Sequence, residues 1–186
     1  GYRTRSTAFG DFVHSKPLYV GAPSYDYEYT GYEAFKTANA SRTPALYIGS
    51  NDGFLHAFNA NTGVELFAVT PQIAYNKIAN QVANTYSHSY SIDGTPMAGD
   101  VYFNNAWNTI LVTPMGAGGK GLFSINITNP NSITEGSAGS LTGNGFWQFD
   151  ETNDADLGYT FSDTSIARVT NTSDTHKWAV IFGNGY

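Results

Sequence analysis

At 186 residues, 15% aromatic and 13% charged, with 20 Gly, 13 Tyr and 12 Phe, the chain has the composition of one aromatic-rich β domain with many turns, not of a helical bundle or a disordered segment. The absence of cysteine excludes disulfides, thiolate metal sites and a cysteine nucleophile. A formal net charge of −6 without a basic run argues against a nucleic-acid partner, and no stretch approaches the ~20 apolar residues of a transmembrane helix.

Arg3 to Gly10 is polar and irregular, and Asp11 to Pro17 leads into a short strand, Leu18-Tyr19-Val20, stopped by Gly21 and Pro23. Residues 24 to 43 carry Tyr25, Tyr27 and Tyr29 at alternate positions, mixed with Asp26, Glu28 and Glu33. They form either a loop whose rings cover a sheet edge, which buried aromatics with a polar tip favour, or an exposed tyrosine-rich contact loop. The stretch Leu46 to Phe67 organises the rest. Leu46-Tyr47-Ile48 is a strand, and Asn51-Asp52-Gly53 is a tight turn in which Asp52 or Asn51 bonds nearby backbone. In the next strand Phe54, His56 and Phe58 alternate with Leu55 and Ala57, so both faces are covered. The small Ala57 lets neighbouring sheets approach, and Asn59 to Gly63 reverses the chain with Thr62 and a left-handed Gly63 before a third strand, Val64 to Val69.

After Thr70-Pro71, the spacing of Ile73, Ile78 and Val82 predicts a short helix. Strands follow at Gly99 to Phe103, Trp107 to Thr113, Leu122 to Ile127, Phe146 to Phe149, Ser165 to Thr170 and Trp178 to Phe182, separated by turns such as Ile92 to Pro96 and Met115 to Gly121. Residues 128 to 145, rich in Asn, Ser, Thr and Gly, read as a mobile connection. Sheets recurring every ~40 to 50 residues are the pattern of propeller blades. The expected fold is therefore all-β, a partial β-propeller of about three blades with a short helix between blades. Because a closed wheel needs more blades, residues 1–186 are expected to be part of a single propeller domain whose remaining blades lie beyond residue 186.

The string Asp52-Gly53-Phe54-Leu55-His56-Ala57-Phe58-Asn59-Ala60-Asn61-Thr62-Gly63 resembles the blade repeat of quinoprotein-like propellers. Six strings in order resemble the opening part of the C-terminal propeller domain of the PilC/PilY family of type IV pilus tip-associated biogenesis and adhesion proteins: GDFVHSKPLYVGAP (10 to 23), LYIGSNDGFLHAFNANTG (46 to 63), HSYSIDGTP (88 to 96), GAGGKGLFSINIT (116 to 128), DLGYTFSD (156 to 163) and WAVIFGNGY (178 to 186). The resemblance implies a secreted, non-enzymatic fimbrial adhesin located extracellularly or at the cell surface, at the pilus tip or outer membrane. It also implies roles in pilus biogenesis, extension against retraction, twitching motility and cell adhesion, with minor pilins, other type IV pilus components and host surfaces as partners. The family's calcium loop of alternating aspartates is expected downstream of Tyr186, so the resemblance assigns no calcium or other cofactor to these residues.

No catalytic or cofactor-binding residue stands out. Asn51, Asp52, Gly53, Ala57, Thr62 and Gly63 are structural residues of the repeat. Asp150, Asp154 and Asp156, with Glu151, are candidate ligands for a hard cation, but they lack the glycine and spacing of a calcium loop and read better as a solvated acidic turn. His14, His56 and His88 lie near strand or turn boundaries and suit repeated structural roles better than catalysis. Gly116 to Gly121 superficially resembles a phosphate cradle, but Lys120 is followed by Gly121 instead of Ser or Thr, which points to a hairpin. Two alternatives remain: a pyrroloquinoline quinone-dependent dehydrogenase-like propeller, weakened by the missing cysteine pair and by Phe67 where the repeat commonly has Trp, and a generic protein- or glycan-binding propeller scaffold.

Overall fold

A computed structural model of the protein describes residues 2–4, 7, 9–134, 145–170 and 176–186, with His176 described by its backbone alone. The connection expected over 128 to 145 lies, for residues 135–144, outside the described residues. Among the described residues ten strands are arranged in three antiparallel sheets. The first is β1 (Leu18–Val20), β2 (Ala45–Gly49), β3 (Leu55–Asn59) and β4 (Glu65–Val69), and the second is β5 (Met97–Phe103), β6 (Ala106–Pro114), β7 (Gly121–Asn126) and β8 (Trp147–Asp150). The third is the pair β9 (Ser165–Thr170) and β10 (His176–Ile181). In each sheet the strands pair in chain order, which is the pattern of a propeller blade. The expectation of about three blades resolves into two four-stranded blades and a two-stranded third.

Local chemistry accounts for the reversals. Gly53 and Gly63 take φ of +100° and +73° at the turns bounding β3, a conformation that costs other L-residues about 1–2 kcal/mol. Asn104 and Asn105, with φ of 51° and 61°, close the two-residue β5–β6 hairpin. Between β4 and β5, Pro71 precedes a 3-10 turn (Gln72–Ala74) that runs into α2 (Tyr75–Gln81), the helix predicted from the Ile73/Ile78/Val82 spacing. The stretch expected as a tyrosine loop contains one element that sequence reading missed, α1 (Tyr32–Ala38). Its signals were Tyr32 and Phe35 three residues apart and Glu33 opposite Lys36 at the same spacing, with Gly31 at φ +80° starting the turn.

The second sheet is buried on both faces, and its strands divide their side chains accordingly. Leu111 of β6 and Phe123 and Ile125 of β7 join Tyr47, Leu55, Ala57 and Ile92 in one core against the first blade. Ile110, Val112 and Leu122 point the other way, into a second core with Ile166, Trp178, Val180 and Phe182. Each fully buried side chain of this size stabilises by about 1.5–3 kcal/mol. The turn after β6 is packed backbone against backbone: a Cβ on Gly118 would lie 1.6 Å from the Ser91 carbonyl oxygen, whereas a Cβ on Gly63 would meet nothing within 4 Å. Gly118→Ala therefore destabilises the propeller by about 3 kcal/mol, as much as a core truncation. Gly63→Ala costs only its left-handed backbone, about 1 kcal/mol. Denaturant midpoints of the two variants compare them directly.

Candidate functional site

The turns between second and third strands lie at one end of the blades, together with the segments that enter each blade. The first of these turns is gripped from both sides. From its own entry segment, the Gly10 amide donates to Asp52 Oδ2 at 2.9 Å and the Gly49 amide donates to Ser15 Oγ at 2.9 Å, while the Asn51 amide donates to the Asp11 carbonyl at 3.1 Å. From the entry segment of the second blade, the Ser91 amide donates to Asn51 Oδ1 at 2.9 Å and the Ile92 amide to the Ser50 carbonyl at 3.3 Å. The pattern repeats. The Asp93 amide donates to the Met115 carbonyl at 3.1 Å, the Met115 amide donates to Thr160 Oγ1 at 3.1 Å, and Thr160 Oγ1 donates to the Gly121 carbonyl at 2.6 Å. In the third blade the Gly158 amide donates to Asn184 Oδ1 at 2.6 Å.

Of the repeat residues singled out in the sequence, Asp52 bonds its own turn through the Phe54 amide at 3.1 Å, while Asn51 reaches across to the next blade. Thr62 Oγ1 accepts from the Val64 amide at 3.3 Å, and Ala57 is fully buried in the first core. The three candidate histidines each meet an aspartate in this hub. His14 Nδ1 lies 2.6 Å from Asp93 Oδ2, His88 Nε2 lies 2.9 Å from Asp11, and His56 lies between Glu65 at 2.6 Å (Nδ1) and Asp52 at 3.2 Å (Nε2). Rings of Phe9, Phe12, Phe54 and Phe58 surround the His56 imidazole at 5.1 to 6.3 Å. Burial works against charge at both His56 and Asp52. At His56 the hydrogen bonds to Asp52 and Glu65 outweigh it and hold the imidazole pKa above its ordinary value. At Asp52 the bonds from His56 and from the Gly10 and Phe54 amides outweigh it and hold the carboxyl below its ordinary range.

The opposite ends of the first two blades carry the loops between first and second strands, and here the tyrosine-rich segment crosses from the first blade to the others. Tyr27 stacks on Tyr25 at 5.0 Å and lies 5.8 Å from Trp107 and 5.6 Å from Trp178, rings contributed by β6 and β10. Burial, then the neighbouring Tyr25 and Asp100, push its phenol up to about 12. The Tyr32 phenol donates to the buried Asp100 at 2.7 Å, Thr109 Oγ1 donates to the other oxygen of Asp100 at 2.6 Å, and Arg42 Nη1 donates to Thr109 at 2.6 Å. Within this segment Tyr32 seals the edge of the second blade, as expected of rings that cover a sheet edge, while Tyr25 and Tyr29 remain 40% and 41% exposed. The Arg168 guanidinium lies 4.1 Å over the Tyr29 ring, and the pair borders a cleft of about 330 Å³ with Tyr102, Trp107 and Trp178. A rigid, partly exposed set of aromatic rings beside a guanidinium is suited to contact with another macromolecule.

The remaining sequence candidates have local partners. Asp150 Oδ1 accepts from the Thr152 amide at 2.8 Å and from its hydroxyl at 2.5 Å, and Asp154 Oδ1 accepts from the Asp156 amide at 3.1 Å. Among the described residues no three His, Asp or Glu side chains converge as a metal-holding group. Gly116 to Gly121 lies in the connection of the β6–β7 hairpin, with the Met115 amide donating to the Gly121 carbonyl at 2.9 Å.

The direction of each shift gives the hub a pH signature. His56, raised above its ordinary 6.5, contributes stability that is complete below about pH 6.5 and is lost as pH rises through its folded value. Asp52, lowered from 3.8, contributes above about pH 4 and loses it as pH falls through its folded value. The stability gap between wild type and His56→Gln therefore narrows from pH 6 to pH 9. Unfolding midpoints across that range measure it, and a constant gap would show that His56 is not charged in the folded hub.

Comparison with known proteins assigns the family. The profile of the PilY1 beta-propeller domain matches residues 9–186. The type IV pilus biogenesis factor PilY1 of Pseudomonas aeruginosa (strain UCBPP-PA14) is 40% identical over 196 residues, covering 100% of this chain and 16% of that protein. A PilY1 homolog of Xylella fastidiosa (strain Temecula1) is 40% identical over 191 residues, covering 98% of the chain and 14% of the homolog. The chain thus spans about a sixth of the length of these relatives. The crystal structure of the Pseudomonas aeruginosa PilY1 C-terminal domain superposes with a TM-score of 0.68 at 35% identity, over 90% of this chain and 31% of that one. With the match running from Phe9 to Tyr186 and the open wheel of blades alongside it, the chain belongs to the PilY1 beta-propeller family.

Proposed function

We propose that the chain is a non-enzymatic propeller platform within a type IV pilus biogenesis factor, working at the cell surface or pilus tip to support pilus extension, twitching motility and surface attachment. The observation that carries this reading is likeness along the whole chain, at 40% identity, to proteins named as pilus biogenesis factors. The rigid hub supports it, since turns bound from both sides hold the loops at the opposite end in fixed positions. In this reading residues 1–186 are part of one propeller, minor pilins and host surfaces are partners, and calcium, where the parent protein uses it, is bound elsewhere. Asp150, Asp154 and Asp156 serve as turn-forming residues.

The aromatic face is the contact surface in this proposal. The double variant Tyr29→Ala/Arg168→Ala removes an exposed ring and the cation above it without opening either core, so it lowers affinity for purified minor pilins about 10-fold, or about 1.4 kcal/mol. In a deletion strain, the same variant supplied in trans restores fewer surface pili and less twitching than wild type. Wild-type piliation in the deletion strain itself would refute the role. Dye reduction by the intact protein with pyrroloquinoline quinone and an alcohol would refute its non-enzymatic character.

A further inference from the structure

The first hub turn borders a polar cavity of about 350 Å³ lined by Arg3, Thr4, Thr7, Asp11, Asn51 and Gln81 among others. Asn51 is 2% exposed and held on three sides: its amide donates to the Asp11 carbonyl, its carbonyl accepts from Gln81 Nε2 at 2.6 Å, and its Oδ1 accepts from the Ser91 amide. Because Oδ1 must face the Ser91 N–H, the side-chain amide cannot be turned over, and Nδ2 is fixed on the other side. That Nδ2 is buried and has no hydrogen-bond partner among the described residues. The same holds for Arg3 Nε. A buried donor without an acceptor is costly, and two lining one cavity are unusual.

The third blade shows what such an amide takes. Asn184, in the segment that follows β10, likewise accepts a backbone N–H through Oδ1, from Gly158. Its Nδ2, however, donates to the Asp156 carbonyl oxygen at 2.9 Å. Among the described lining residues the charged groups are Arg3 and Asp11. The Arg3 guanidinium stacks on the Tyr86 ring at 3.8 Å and forms no ion pair among the described residues. The adjacent carboxylates are already committed: Asp11 to His88 at 2.9 Å, and Asp52 to His56 at 3.2 Å and to the Gly10 amide at 2.9 Å.

We infer that this cavity is an oxyanion site, in which a carboxylate or phosphate oxygen accepts from Asn51 Nδ2 and from the Arg3 guanidinium. The site is independent of the aromatic face and of the pilus reading. The test is calorimetric titration of the intact protein with sodium phosphate and, separately, sodium acetate, against sodium chloride at matched ionic strength. Saturable heat with phosphate, acetate or both above the chloride control is expected, and which of the two saturates identifies the group. Asn51→Asp keeps the oxygen facing Ser91 but replaces the donor by a negative charge, weakening binding by about 30-fold or more, and Arg3→Gln weakens it by about 10-fold. Arg3 makes no side-chain hydrogen bond to the hub, so Arg3→Gln decides the matter should Asn51→Asp fail to fold. No saturable binding above chloride, or unchanged affinity in Arg3→Gln, would overturn the assignment and leave the cavity to solvent.

Discussion

Asp52 is a buried carboxylate whose charge is kept by an imidazole and two backbone amides, and the arrangement of the first blade and its entry segment depends on it. Burial of an isolated carboxylate would force it neutral. Here the cost is offset because each of its partners comes from a piece of chain that must be held in place: Gly10 from the entry segment, Phe54 from the turn just before β3, and His56 from within that strand. His56 in turn ties Asp52 to Glu65 on β4. One charged group thus fixes where the chain enters the wheel, how it reverses after β2, and which face of β3 is turned toward the rings of Phe9 and Phe12.

Beyond the hub, the structure depends on strands with no solvent side. Leu111 and Phe123 serve one core while Ile110, Val112 and Leu122 serve the other, so neither core survives a shift of one residue in β6 or β7. Glycine completes this close packing at the hub, where backbone meets backbone between Gly118 and Ser91 and between Gly94 and Pro114. The blades are held face to face by apolar side chains and at the hub by hydrogen bonds, and the two regions meet at the ends of β2 and β6.

Much of this was legible in the sequence because it is local. The Asp52-Gly53 and Asn59 to Gly63 reversals, the alternation of His56 with Leu55 and Ala57, and the helix after Pro71 depend on residues a few positions apart. The strings GDFVHSKP and HSYSIDGTP also marked real features, although their meaning appears only in three dimensions. His14 finds its aspartate 79 residues away and His88 finds its own 77 residues away, pairings that no spacing rule anticipates. The same distance problem hid the aromatic face: Tyr27 was visible as part of a tyrosine pattern, but Trp107 and Trp178 join it through tertiary packing alone. Helix α1 was obscured by the neighbouring tyrosines, whose alternation suggested extended chain.

The entry segment from Gly10 to Ser15 is attached to two blades at once, to the first through Asp52 and Gly49 and to the second through Asp93 and His88. A mechanical load reaching this segment from the N-terminal side is consequently shared between two blades. Those bonds must fail as a group and not one after another, so the join resists tension better than a strand peeled from an edge.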